Sequence, residues 1–228
     1  MTENGPGIIV VDSIYSSIGT FCPLPELVKI GKDQGCLIVV DESHSLGLFG
    51  EEGKGLVNQH DLADQVDFIT ASLAKAFAGR AGIAFMPKSV AQSFPFLANQ
   101  AIFSSCLLPQ DIAALDMTLD IIRHEADDSR KNLQENATIL RQGLGNFGYS
   151  IKSQSHIVSL IAGSEANTEV LRDLLEENDI FGSVFCWPAT PKNGSLVRLS
   201  LNTSIGQKEI ERILSVCEQI HSEVGFSL

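Results

Sequence analysis

Two apolar runs that end on polar residues constrain this chain more than any other feature. Cys36-Leu37-Ile38-Val39-Val40 runs into Asp41-Glu42-Ser43-His44-Ser45, and Phe68-Ile69-Thr70-Ala71 runs into Ser72-Leu73-Ala74-Lys75. Short runs of this kind read as strands apolar on both faces, the pattern of a covered parallel sheet. Asp41 and Lys75 stand 34 residues apart, room for one crossover between neighbouring parallel strands. In an open α/β sheet the carboxyl ends of the strands border the ligand crevice. An acid, an imidazole and an amine are therefore aimed at one place.

Other segments extend this frame. Gly7-Ile8-Ile9-Val10-Val11-Asp12 reads as another buried strand, and Ile83 to Phe85 as a further one. A helix is expected from about Pro23, with Leu24, Leu27 and Val28 as its stripe and Gly35 as its end. Strands separated by helical segments indicate a mostly parallel sheet. Near Pro109 the pattern changes. Ile112, Leu115, Leu119 and Ile122 form one helical stripe; Leu133, Ala137, Leu140 and Leu144 form a second, stopped by Gly143, Gly145 and Gly148. Then follow a strand over Ile157 to Ile161, a helix after Asn167, strand-like segments at Ile180 to Cys186 and Leu196 to Leu201, and a last helix carrying Ile210, Ile213, Leu214, Cys217 and Ile220. This second part is an α+β layer.

With 228 residues, 44% hydrophobic and 19% charged, the chain can bury one large core or two modest ones. A net charge of −12 argues against nucleic acid and against anionic membrane surfaces. No apolar stretch approaches membrane-spanning length, and Met1-Thr2-Glu3-Asn4 does not read as a signal peptide, so a cytoplasmic protein is expected. Cys22, Cys36, Cys106, Cys186 and Cys217 are odd in number and scattered, which suggests buried reduced thiols rather than disulfides or a metal site.

The strand ends carry the chemistry. Pyridoxal phosphate needs a lysine to capture its aldehyde, a carboxylate to hold its ring nitrogen protonated, and hydrogen-bond donors around the ring. Asp41, His44 and Lys75 supply that trio; as alternatives, Asp41 serves a helix cap or a turn and Lys75 a solvated surface. The small and apolar neighbours of Lys75, with no other charge from Phe68 until Arg80, suggest a desolvated amine. Ser72 could donate to a phosphate, and Gly79 and Gly82 let backbone pass close to a ligand. Gly47, Gly50, Gly53 and Gly55 mark a tight irregular loop after His44. Phe103-Ser104-Ser105 reads either as a cap before Pro109 or as a second pair of phosphate-binding hydroxyls. Arg198, inside the apolar run Leu196 to Leu201, needs an anionic partner: a substrate carboxylate or an internal acid.

Together these residues resemble the α-oxoamine synthases, a branch of the fold-type I pyridoxal phosphate enzymes related to the class I/II aminotransferases. The family pattern D-E-x-H-S-x-G-x-x-G-x-x-G-x-G is met from Asp41 to Gly55, and its T/S-x-x-K motif by Ser72 and Lys75. Its F-S-T segment, which in the family reaches the neighbouring subunit's cofactor, is approximated by Phe103-Ser104-Ser105. Its carboxylate-binding arginine falls on Arg198, and the serine of its S-M-D-G segment on Ser16. Within the family, Pro6 to Ser16, Thr70 to Lys75 and Phe181 to Cys186 look most like the quorum-sensing α-hydroxyketone autoinducer synthases. Ala78-Gly79-Arg80-Ala81-Gly82 departs from the usual glycine run.

The resemblance implies an α/β fold: a partial, mostly parallel type I transferase sheet with helices, plus a smaller α+β carboxyl-terminal domain. Residues 1–110 would be the last part of the cofactor-binding domain, 111–130 a linking helix and 131–228 the small domain. It implies pyridoxal 5'-phosphate held by Asp41, His44, Ser16, Ser72, Lys75, Ser104 and Ser105, with Lys75, Asp41 and His44 catalytic and no metal. It implies condensation of a medium-chain acyl-CoA with a small α-amino acid, a donor like 2-aminobutyrate or S-adenosylmethionine, to an aminoketone autoinducer precursor. A homodimer with a shared active site is expected. The family's upstream region has no counterpart here, so the chain is expected to match only the carboxyl-terminal part and to be incomplete as an enzyme. An aminotransferase of the same fold and a non-catalytic remnant stay open. A DExH-type NTPase reading of Asp41 to His44 is opposed by the acidic charge and the missing G-x-x-x-x-G-K-[ST] loop.

Overall fold

The computed structural model describes residues 7–224 and divides the chain into two compact units, each treated in its own right. The first comprises the residues up to Ile14 together with Cys22–Asp127; the second comprises Tyr15–Phe21 and the chain from Asp128 onward.

In the first unit β1 (Ile8–Asp12), α1 (Leu24–Asp33), β2 (Leu37–Asp41), α2 (Leu56–Gln59), β3 (Phe68–Ser72) and β4 (Gly82–Phe85) follow in order. The sheet order is β1-β2-β3-β4. β1–β2 and β2–β3 are parallel, whereas β3–β4 is antiparallel. Only residues 73–81 join β3 to β4, too short for a parallel crossover, which takes a dozen residues or more. The alternation along β2 buries Ile38 and Val40 with Leu24 and Val28 of α1, and turns Leu37, Val39 and Asp41 to the other face.

β1 corrects one expectation. Ile8 and Val10 are 65% and 69% exposed, because β1 is an outer strand of this sheet, so its run is not buried on both faces. Two further helices, α3 (Lys88–Leu97) and α4 (Asn99–Ile102), were not legible in the sequence; Pro95 lies inside α3, and neither helix buries a residue. α5 (Pro109–His124) follows, and its Ile122 packs with Leu73 and Phe77. Residues 111–130, read as one linking helix, are divided between α5 and α6 (Asp127–Asn146), with Glu125 and Ala126 in neither.

The second unit begins its core with α6, which buries Leu133, Ala137, Leu140 and Leu144. Gly143 and Gly145 lie inside α6 rather than ending it. β5 (Ile157–Gly163), α7 (Glu165–Glu176), β6 (Ser183–Phe185), β7 (Ser195–Ser200) and α8 (Gln207–Val224) complete the unit. The sheet order is β5-β7-β6, antiparallel throughout. Ser164 caps α7 by accepting the Asn167 N–H at 3.1 Å, which starts that helix earlier than the apolar spacing suggested. Ile180 to Gly182 precede the short β6 without joining it. α7 packs on β5, β7 and α8. Cys22 and Cys217 are buried, but Cys106 is exposed, against the expectation of five buried thiols.

Leu140 is fully buried whereas its neighbour Ile139 is 46% exposed. Leu140→Ala is expected to destabilise the second unit by about 2–5 kcal/mol in urea unfolding, and Ile139→Ala by about 0.5 kcal/mol or less. Equal losses at the two positions would contradict this packing.

Candidate active site

β1, β2 and β3 end side by side. Asp12 pairs in register with Asp41, and Asp41 with Thr70. Asp41 is half-buried and each of its carboxylate oxygens accepts one hydrogen bond: Oδ1 from the Ser43 N–H at 2.9 Å and Oδ2 from the Thr70 hydroxyl at 2.7 Å, which leaves acceptor sites on both. Burial pushes the Asp41 carboxyl up. Hydrogen bonds from Ser43 and Thr70, with the Lys75 charge nearby, outweigh it and hold the group below its ordinary value. Ser43 in turn accepts the Ser72 N–H on its hydroxyl at 2.7 Å, tying the end of β2 to the end of β3. Asp41 is thus an ionised acceptor fixed from the turn after β2 and from β3; its bond from the Ser43 N–H is that of a turn aspartate, not of a helix cap.

The adjacent Glu42 behaves oppositely. It is fully buried, accepts the Val57 N–H at 2.8 Å and the Ser45 hydroxyl at 3.2 Å, and lies beside the Leu56 N–H. Burial raises its carboxyl above the ordinary value despite those donors. Gly55, at φ +90°, passes so close that a Cβ there would sit 2.0 Å from Glu42 Oε2. Ser45 also meets Ser13 hydroxyl to hydroxyl at 2.8 Å. This buried network pins the turn that carries Asp41 and His44; its anchor, Glu42, was missed in the sequence, where it read as a motif letter only.

A cleft of about 720 Å³ in the first unit is lined by Asp41, Ser43, Thr70, Ser72, Gly82, Phe94, Gln100 and Ser104, among others. That size suits a small-molecule site. The structure therefore gathers Asp41, Ser72 and Ser104. The Ser72 hydroxyl accepts the Ala74 N–H at 3.3 Å, and the Ser104 hydroxyl donates to the Gln100 carbonyl. Ser105 is exposed and His44 half-buried, and neither lines the cleft.

Lys75 lies in the turn after β3, and its charge acts on both Asp41 and Asp12. It is exposed, which corrects the expectation of a desolvated amine. Its apolar neighbours Leu73 and Phe77 are spent in the core with Ile122 instead of shielding the nitrogen. Gly79 likewise serves packing rather than a ligand: a Cβ there would meet Leu115 at 2.4 Å. Asp12, half-buried, stands at the same strand-end position as Asp41, a neighbour that the sequence reading passed over.

Ser16 and Arg198 belong to the second unit, so they are not grouped with Asp41. The Arg198 guanidinium donates to the Ser16 carbonyl at 3.0 Å and stands 4.8 Å from the Phe185 ring centre. Its Nε is buried with no hydrogen-bond partner, and burial lowers its pKa. No described carboxylate pairs with it, which removes the internal-acid explanation of this residue among the described residues.

The model of the family "Aminotransferase class I and II" matches residues 1–216. The chain is 50% identical over 227 residues to a CAI-1 autoinducer synthase of Vibrio campbellii, covering 99% of this chain and 58% of that protein. It is 29% identical over 219 residues to an 8-amino-7-oxononanoate synthase of Treponema denticola, covering 96% and 55%. Among solved structures, SPT with a PLP internal aldimine superposes with a TM-score of 0.90 at 25% identity, over 97% of this chain and 56% of that one. The chain thus spans a little over half the length of the curated relatives it matches.

Two neighbouring carboxyls should titrate in opposite senses. Asp41, held low, contributes stability that is present above its unfolded value and lost as pH falls through the folded one. Thr70→Val removes one donor, so the Asp41 carboxyl carbon should titrate at higher pH in ¹³C NMR; an unmoved midpoint would contradict the account. Glu42, held high, contributes stability below its unfolded value that is lost as pH rises through the folded one. Glu42→Gln should therefore lessen the stability lost as pH rises above the ordinary glutamate range in urea unfolding. An unchanged slope would contradict it.

Proposed function

Because the chain belongs to the aminotransferase class I and II family, we propose that it uses pyridoxal phosphate to condense an acyl-CoA with a small α-amino acid. The acyl chain is of medium length and the product is an aminoketone precursor of an autoinducer. The observation that carries this reading is the ionised Asp41 carboxylate at a parallel strand end, with the Lys75 charge acting on it. The donor set fits the cofactor: a fixed anion suits a protonated pyridine nitrogen, and the cleft beside it carries serine hydroxyls.

When bound, pyridoxal phosphate supplies an aldehyde that captures amines and a ring that takes up electrons from the substrate α-carbon. Asp41 holds the ring nitrogen protonated. His44 bonds the phenolic oxygen. Ser72 would take the phosphate, Ser104 and Ser105 would reach the phosphate of a second copy's cofactor, and Ser16 would add a further contact. Lys75 Nζ would be the amine that holds the group through its aldehyde and, once released, the base for the substrate α-proton. Arg198 holds the substrate carboxylate; its unpartnered buried Nε and half-buried guanidinium support that role. The 50% identity to a CAI-1 autoinducer synthase supports the substrate class.

A second copy of the chain as partner is supported by apolar surface on the first unit, where Phe96 and Leu97 are each 78% and Phe103 83% exposed. No described helix is long and apolar enough to cross a membrane, and a cytoplasmic location accords with that.

The test is to mix the chain with pyridoxal phosphate and record its absorbance before and after borohydride. The expected result is a band near the visible edge that borohydride converts to a permanent bond on Lys75, absent in Lys75→Ala. A band that survives in Lys75→Ala would remove Lys75 from its role. Amino-group exchange with a 2-oxo acid, in place of CoA release, would mark an aminotransferase.

A further inference from the structure

We propose that the first unit holds a second ligand site, separate from the Asp41 cleft, that binds a fatty carboxylate: an aliphatic tail lies in an apolar cavity and the carboxylate head sits on Arg123 and Lys54 at its mouth. The site uses neither Lys75 nor a cofactor, so it stands or falls apart from the proposed function.

The cavity measures about 480 Å³. Phe77 and Ile122 form its buried floor, and Leu46, Ile69, Phe85 and Leu119 its walls. Ile69 and Phe85 are register partners on β3 and β4. The next pair, Thr70 and Ala84, lines the Asp41 cleft instead. Successive side chains of a strand point to opposite faces, so the two cavities lie on opposite sides of the sheet. α5 contributes Leu119, Ile122 and Arg123, whose spacing puts them on one helix face. The mostly apolar lining and the size, inside the roughly 300–1,000 Å³ range of ligand pockets, suit a small molecule with a tail.

The mouth selects the head group. The charged residues that line the cavity are Glu42, Glu52, Lys54 and Arg123. Glu42 is sealed in the interior, its carboxyl spent on the Val57 N–H and the Ser45 hydroxyl. The other three form a half-exposed triad. Lys54 Nζ at 3.2 Å and Arg123 Nε at 3.4 Å approach the same Glu52 oxygen, Oε2. Two cations against one carboxylate leave the mouth positive, in a chain of net charge −12. Arg123 bonds Glu52 through Nε, and none of the described residues accepts a hydrogen bond from its two terminal nitrogens. An arginine fork of that kind fits a carboxylate with two parallel bonds. A cationic head would be repelled there, and a neutral one would leave the charge unused. The apolar floor behind the triad then calls for a chain of methylenes attached to the anion.

The experiment titrates decanoate into the chain without cofactor and follows methyl groups by ¹³C-resolved NMR. The Ile69 and Ile122 methyls should shift saturably, while those of Thr70 and Met86, which line the Asp41 cleft, stay still. Octanoate, two methylenes shorter, should bind about tenfold more weakly. Arg123→Gln should weaken decanoate about tenfold and leave decanol unchanged. Leu119→Gln should weaken both. Leu119 and Arg123 are half-exposed, so both variants keep the fold, which an unchanged urea midpoint verifies. Four results would overturn the proposal: no saturable shift at Ile69 and Ile122; a shift at Thr70 and Met86, which would put decanoate in the other cleft; decanoate binding indifferent to Arg123→Gln; or Ile69 and Ile122 methyls that move with protein concentration alone, which would make a second copy of the chain the occupant.

Discussion

The hold on one carboxylate organises the first unit. A half-buried acid at a strand end is costly to ionise, and burial alone would push Asp41 toward its neutral form. Three donors reverse that: the Ser43 amide, the Ser43 hydroxyl and the Thr70 hydroxyl. Each comes from a different constraint. The Ser43 amide is available because the chain turns immediately after β2. Thr70 is opposite because β2 and β3 are parallel and in register. The Ser43 hydroxyl is oriented because the Ser72 amide occupies it. A charged Asp41 is therefore a consequence of the sheet, and a shift of one residue in register would turn Thr70 to the wrong face.

Glu42 shows the cost of building such a turn. Its carboxyl is placed in the core to satisfy the Val57 amide and, with Ser45, to anchor the loop, and it is held above its ordinary value in return. Only glycine fits at position 55, because the backbone there runs against that carboxyl. The glycine spacing after His44 is thus read most simply as the mould around Glu42, with Gly47, Gly50 and Gly53 also in left-handed backbone. Adjacent acids in one motif have opposite environments: one is solvated by designed donors, the other sealed.

Much of this was legible in the amino-acid order, and the failures have physical causes. Strands over Leu37–Asp41 and Phe68–Ser72 followed from short apolar runs, and α7 and α8 from apolar spacing. The strand over Ile83 to Phe85 was read but its antiparallel direction was not, because strand patterns carry no direction; only the length of the connection does. α3 was missed because Pro95, set between Phe94 and Phe96, interrupts the helical pattern. At the site, Asp41, Ser72 and Ser104 were found by motif and do border one cleft. Lys75 was expected to be dry because its sequence neighbours are apolar, but residues 73–77 lie in the turn after β3, where Leu73 and Phe77 go to the core and Lys75 stays exposed. Asp12 was overlooked because its meaning depends on the register with Asp41, which no single strand reveals. Arg198 was anticipated as a residue needing an anion, and its Nε is buried without a hydrogen-bond partner.

The central claim is that Asp41 keeps a bound pyridine nitrogen protonated. The most direct measurement is ¹⁵N NMR of pyridoxal phosphate labelled at that nitrogen, mixed with the chain and with Asp41→Asn. The account requires the ring nitrogen to hold its proton to a pH well above that at which the free cofactor releases it, and to lose that protection in Asp41→Asn. A bound ring that titrates like the free cofactor, or one indifferent to the loss of the Asp41 charge, would contradict it.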